Sequence, residues 1–281
     1  MLAPKLRRQL RLERLAFLLA GLSFGLLTSI LANWLSAQWT MWIPVVAVVA
    51  VLSGILGAYL YLRKPPGSEW VIRAPVTIRS EEEATRYARR AYVGFVPLFN
   101  PQKGSPANQL NVTARKTAAE ALDFDQLDIE HSNFQPTVVA ITAHTSRLEH
   151  CWLLATVGRD MEGSLPYARL MAEYLKQVKG VHCEFHYDEP YCVPLDDDAL
   201  VLNKTYDRVR QVLAEAESLG IGPDEIVADI TTGTRSMSLG IVLTCLDRDH
   251  DIQFVGTRYD GEGTPVGDPF PILFSVEATN E

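Results

Sequence analysis

From Leu15 to Leu62 the chain runs for 48 residues without an Asp, Glu, Lys or Arg. Roughly 20 apolar residues suffice to cross a bilayer at about 1.5 Å per helical residue. The run therefore predicts two spans, Leu15–Ser36 and Trp42–Leu62, joined by a short turn over Ala37–Met41. Trp34 and Trp42 flank that turn, where tryptophan suits the headgroup interface. On the first span Gly21, Gly25 and Ser29 recur every four residues, a small-residue face that would admit a second helix. The same residues are common in membrane helices generally. Neither span carries an ionisable side chain, so the usual mark of an ion or proton pathway is absent from them.

After Lys64 the pattern changes to short apolar runs alternating with helical spacing. Pro65-Pro66-Gly67-Ser68 breaks the chain, and Ser80 with Glu83 has the form of a capping box opening a charged helix over Ser80–Arg90. Five strands are predicted: Tyr92–Leu98, Thr137–Thr142, Val181–Tyr187, Glu225–Ile230 and Ile252–Thr257, with Pro271–Val276 as a sixth at an edge. Pro97 implies that the first is an edge strand or stops early. Tyr167, Leu170, Met171, Tyr174, Leu175 and Val178 follow helical spacing, as do Leu202, Tyr206, Val209, Leu213 and Ala216. Strand and helix in alternation predict an α/β fold with a Rossmann-like, mainly parallel sheet covered on both faces. The expected organisation is a transmembrane hairpin at 1–64, a linker and charged helix at 65–91, and an α/β domain at 92–281.

Charge divides the chain at the same place. Residues 1–64 hold seven basic side chains against Glu13 alone, and residues 65–281 hold 19 basic and 33 acidic ones. Basic residues stand before the first span and after the second, with none in the turn, which places both termini in the cytoplasm. A cleaved signal peptide is the competing reading of the first span; its apolar stretch is long for one, and a second span follows at once. Four cysteines without a CxxC pair read as reduced thiols. The six histidines are scattered; His182 and His186 flank a predicted strand with no third ligand at a useful spacing, so no metal is expected.

Open α/β sheets bind ligands beyond the carboxyl ends of their strands. The most informative loop there is Asp229-Ile-Thr-Thr-Gly-Thr-Arg-Ser-Met237, which leaves an apolar strand and enters an apolar helix expected to be buried. Free loop amides, a helix N-terminus, hydroxyls and Arg235 suit an anion such as phosphate. Asp229 would accept from loop amides or a ribose hydroxyl. A strand-to-helix turn with ordinary Ser/Thr capping would have the same composition. Neither a Walker A nor a G-x-G-x-x-G pattern is present. A second loop, Ala143–His150, offers Thr145, Ser146 and Arg147 after the predicted Thr137–Thr142 strand. His144 and His150 are its candidate general bases, but neither neighbouring Ser146 nor Cys151 is identifiable as a nucleophile from the sequence. A third loop, Asn100–Ser105, supplies Lys103. Together the three would form a local basic pocket on an acidic domain.

The Asp229–Met237 segment resembles the D-x-T-G-G-T-[KR]-x-M loop of CARF domains, the CRISPR-associated Rossmann-fold sensors of type III systems. Thr232 stands where the first glycine of that pattern is usual. The resemblance implies that Thr231, Thr232, Gly233, Thr234 and Arg235 contact the ribose-phosphate backbone of a cyclic oligoadenylate, with Asp229 shaping the loop. It implies Thr145, Ser146 and Arg147 by loop position only. It further implies a homodimer or higher homo-oligomer with the ring across its axis, no cofactor, and no duplex nucleic acid as partner. Joined to a membrane hairpin, the pattern is similar to that of membrane-anchored CARF effectors, in the inner membrane and in contact with lipid. No HEPN R-x-x-x-x-H and no PD-(D/E)xK constellation is present. A membrane-tethered ring nuclease and a ligand-gated channel are the other classes; the five-residue turn leaves no room for a pore loop.

Overall fold

The computed structural model describes residues 49, 52–53, 69–72 and 75–279, without 159–162, 196, 247–249 and 263. The predicted spans lie outside the described residues except for Val49, Leu52 and Ser53, which are helical. Among the described residues no helix is long and apolar enough to cross a membrane.

Trp70–Glu277 form one compact unit. At its two ends are β1 (Glu69–Ile72) and β10 (Val276–Thr279), and between them its strands are β2 (Val76–Thr77), β3 (Ala91–Phe95), β4 (His150–Val157), β5 (Glu184–His186), β6 (Cys192–Pro194), β7 (Ile226–Asp229), β8 (Asp251–Tyr259) and β9 (Pro265–Phe274). Its helices are α1 (Glu81–Tyr87), α2 (Val112–Glu120), α3 (Phe124–Leu127), α4 (Gln135–Thr142), α5 (Leu165–Gln177), α6 (Asp198–Ser218) and α7 (Arg235–Leu246). β1 and β10 make a two-stranded sheet, and the main sheet runs β2-β9-β8-β7-β3-β4-β5 with β6 beside the end of β4. The strands from β8 to β5 are parallel; β9 and β2 are antiparallel additions. The α/β, mainly parallel architecture expected from the sequence is therefore present.

β3 lies at the centre because all five of its residues are buried, which requires neighbours and cover on both sides. Pro97 does not put it at an edge; it ends the strand early, at Phe95. One sheet face packs under α4 and α5 around Tyr92, Leu153, Tyr167 and Leu170. The other packs under α6 and α7 around Val93, Trp152, Val209 and Ile241. The capping box forms: Glu83 N–H donates to Ser80 Oγ at 3.2 Å and Ser80 N–H to Glu83 Oε2 at 3.1 Å. β2, from the expected linker, pairs with β9.

The Thr137–Thr142 strand is corrected: the segment is helix α4. Pro136 stands in its first turn, where the missing N–H costs nothing, and Thr142 Oγ1 donates back to Val138 O at 2.9 Å. Short apolar runs do not separate strand from buried helix by periodicity. The strand on that side is β4, the apolar run after it. Only Glu184–His186 of the predicted Val181–Tyr187 strand is extended, and of the Pro271–Val276 run, Pro271–Phe274 close β9, inside the edge strand β2, while Val276 opens β10. Helix α7 is not buried all round either: Met237, Gly240, Ile241, Thr244 and Cys245 are covered, while Leu239 and Leu243 are exposed.

Candidate functional site

The chain passes from β3 to β4 and β5 on one side, then returns to place β7 on the other. Loops leaving the carboxyl ends of β3 and β7 consequently run to opposite faces of the sheet, which opens a crevice there. The β7–α7 loop, residues 230–234, stands at this point.

Two threonines fix the loop. Thr231 Oγ1 donates to Asp229 Oδ2 at 2.8 Å and accepts Val255 N–H at 2.9 Å, extending the sheet by a side chain where β7 has ended. Thr232 Oγ1 donates to Phe95 O at 2.6 Å, at the end of β3. Both hydroxyl protons are thus committed to the fold. Gly233 has φ +100°, and a Cβ there would stand 3.3 Å from Met237 Cβ, so the turn requires glycine. Thr234 caps α7, its Oγ1 accepting Met237 N–H at 3.4 Å. Arg235 is exposed and makes no hydrogen bond or ion pair among the described residues. The N–H groups of Thr232, Gly233, Arg235 and Ser236 likewise have no partner among them. A fixed arc of backbone donors, a helix N-terminus and a free guanidinium converge on one exposed turn, an arrangement that attracts an anion.

Asp229 lies beneath this turn and is not part of its surface. It is 1% exposed, with Oδ1 accepting Thr231 N–H at 2.8 Å and Oδ2 accepting Gln253 Nε2 at 3.2 Å. Burial pushes its pKa up to about 6, against the hydrogen bonds from Thr231 and Gln253. Gln253 continues the chain, its Oε1 2.7 Å from His144 Nε2. His144 Nδ1 accepts Arg89 N–H at 3.1 Å, which leaves the ring proton on Nε2 for Gln253. Burial brings the His144 pKa down to about 4. With both ring nitrogens engaged and no exposed surface, His144 is a structural group and not an available base.

The remaining predicted residues divide by sheet edge. Lys103 is exposed in the loop that follows β3, at the same edge as Arg235. Thr145, Ser146 and Arg147 are at the other edge, because the segment before them is α4 and the segment after them is β4. Arg147 lies 3.8 Å from Glu225, beside an Arg90 pair with Glu149 at 2.8 Å and Glu225 at 3.0 Å. These charges mark the amino ends of β3, β4 and β7. About four strand residues, roughly 13 Å, separate them from the Asp229 turn. The loop that does lie at the carboxyl end of β4 runs to α5, and Ser164 and Thr156 lock its far side through N–H to hydroxyl bonds of 2.9 and 3.0 Å. A cavity of about 620 Å³ opens elsewhere, between α1, α4 and the β8–β9 pair, lined by Arg79, Val139, Thr142, Arg258 and Phe270.

One convergence was not legible from spacing. His186 is joined by Glu184 on its own strand and by His150 across the sheet. His182 is exposed and outside this group.

No protein-family model matches the sequence, and a search of curated proteins returns no match.

Proposed function

We propose that the chain is a membrane-anchored sensor that binds a cyclic oligoadenylate at the β7–α7 turn and acts through its N-terminal apolar hairpin. The observation that carries this reading is the turn itself: among the described residues the N–H groups of Thr232, Gly233, Arg235 and Ser236 and the Arg235 guanidinium are unpartnered, above the support that buried Asp229 gives through Thr231. That is the donor set a phosphodiester requires, on a scaffold that needs no rearrangement to offer it. Lys103, at the same edge, would add a second cation. Thr231 and Thr232 hold the loop, and Thr145, Ser146 and Arg147 fall outside the proposed contacts.

The exposed pair Leu239 and Leu243, four residues apart on α7, supports self-association near the turn. A ligand that spans two such turns would favour one packing of the oligomer over another, and only that difference in affinity can change the hairpins. The two spans, within one run of 48 uncharged residues, supply the output, since no nuclease motif is present in the sequence.

The test is a thermal-shift titration of the full chain in detergent with cyclic tri-, tetra- and hexa-adenylate, followed by product analysis. A concentration-dependent rise in Tm with one ring and no linear product supports the reading. Linear products would make the protein a ring nuclease. No shift with any of the three would overturn the ligand assignment.

A further inference from the structure

β4 and β5 are parallel, and their register sets His150 beside Glu184 and Trp152 beside His186. Strand period two puts all four on one sheet face. The His186 ring stacks flat on the fully buried Trp152, with centroids 4.6 Å apart and planes at 14°. The His150 ring lies parallel to His186 within 19°. Tyr191 meets His186 edge-on at 6.0 Å and is itself held by Glu215 at 2.9 Å. This packing aims two ring nitrogens at one point: His150 Nδ1 is 3.2 Å from His186 Nε2. Glu184 completes the triangle, with Oε2 3.7 Å from His150 Nδ1 and Oε1 4.0 Å from His186 Nε2.

Those separations can be compared with what a metal demands. Zinc binds His nitrogen and carboxylate oxygen at about 2.0–2.2 Å, so neighbouring ligand atoms lie about 2.9–3.5 Å apart in tetrahedral or octahedral geometry. The two imidazoles already meet this requirement. The carboxylate is a few tenths of an ångström too far, and its side chain, 66% exposed, is free to turn inward. The histidines, at 17% and 13%, are held in place by their neighbours.

We propose that His150, Glu184 and His186 form a binding site for a divalent first-row transition metal of the zinc type. Two imidazoles and one carboxylate exclude magnesium and calcium as preferred occupants, since those ions favour all-oxygen sets. Three protein ligands leave at least one coordination position for water or an exogenous ligand. The site stands at the amino ends of β4 and β5, away from the β7–α7 turn, and is independent of what binds there.

The test uses full-length chain without an affinity tag, stripped with chelator, dialysed against Zn²⁺ and assayed for bound metal by emission spectroscopy. About one Zn²⁺ per chain is expected, with a rise in Tm on loading. Glu184→Gln alters an exposed side chain, and His186→Phe keeps a ring on Trp152, so both preserve the fold. Loss of an outer-shell partner alone typically weakens a metal site about 10–100-fold, so loss of a direct ligand should cost at least about tenfold. His182→Ala, an exposed histidine nearby, should change nothing. Wild-type binding in both ligand variants, or no retained Zn²⁺ in the parent, would overturn the proposal; if His186→Phe fails to fold, Glu184→Gln alone decides.

Discussion

Gln253 and Asp229 are register partners on β8 and β7, and the Gln253 amide nitrogen donates to the Asp229 carboxylate at 3.2 Å. Through its oxygen Gln253 also holds His144, so one neutral side chain satisfies two buried titratable groups. The β7–α7 turn rests on this support by way of Thr231.

Gln253→Leu should therefore cost more than a buried substitution of similar size. It strands hydrogen-bonding capacity on both Asp229 and His144, at about 1–3 kcal/mol for each group. Urea unfolding of the compact unit reads the loss, and an unchanged midpoint would contradict the shared-partner role.

Asp229 and His144 have opposed pH dependence. The His144 pKa falls from 6.5 to about 4 in the fold, so its stabilising contribution is complete above pH 6.5 and is lost as pH falls toward 4. The Asp229 pKa rises from 3.8 to about 6, so its contribution is complete below pH 3.8 and is lost as pH rises through 6. Between pH 4 and pH 6 the two slopes, each about 1.4 kcal/mol per pH unit, largely offset one another. Asp229→Asn removes one of them. Its stability relative to the parent should fall between pH 6 and pH 4, read as the difference in urea midpoints; parallel pH profiles would refute the pairing.

The two arginines singled out in the sequence are predicted to behave differently. Arg235→Glu should abolish the Tm shift given by a cyclic oligoadenylate. Arg147→Glu should leave it unchanged, because Arg147 lies beside Glu225 at the opposite sheet edge. Equal losses in both would mean that the ligand is not confined to the β7–α7 turn.

Gly240 lets α7 approach α6 closely. A Cβ there would lie 2.8 Å from Thr205 Cβ and 3.0 Å from Leu202 O. Gly240→Ala should destabilise by about 1–3 kcal/mol through overpacking, despite alanine's better helix propensity. Thermal unfolding measures it, and a rise in Tm would show that the helices separate at no cost.

Leu239→Lys with Leu243→Lys should shift the full chain toward monomer in light scattering, with the fold intact by circular dichroism. Both side chains are exposed, at 47% and 41%, so neither contributes to the core. An unchanged mass would place self-association on another surface.

The sequence by itself determined the alternation of strand and helix, the buried stripes of α5 and α6, the Ser80–Glu83 cap, and the turn from Asp229 to Arg235. Each is written in local pattern: side-chain period, capping residues, or a glycine where the backbone turns left-handed. It also carried the early stop of β3 at Pro97. Whether Thr137–Thr142 is strand or helix was not local information, because a six-residue run with four apolar residues between two threonines satisfies both until the neighbouring β4 takes the place in the sheet. That one exchange moved Thr145, Ser146 and Arg147 to the far edge. Tertiary structure also decided that the Thr231 and Thr232 hydroxyls serve β7 and β3, and that His150 meets Glu184 and His186. Periodicity records which side of its own element a residue faces. Which strands lie side by side, in what register, is settled only when the faces are buried together.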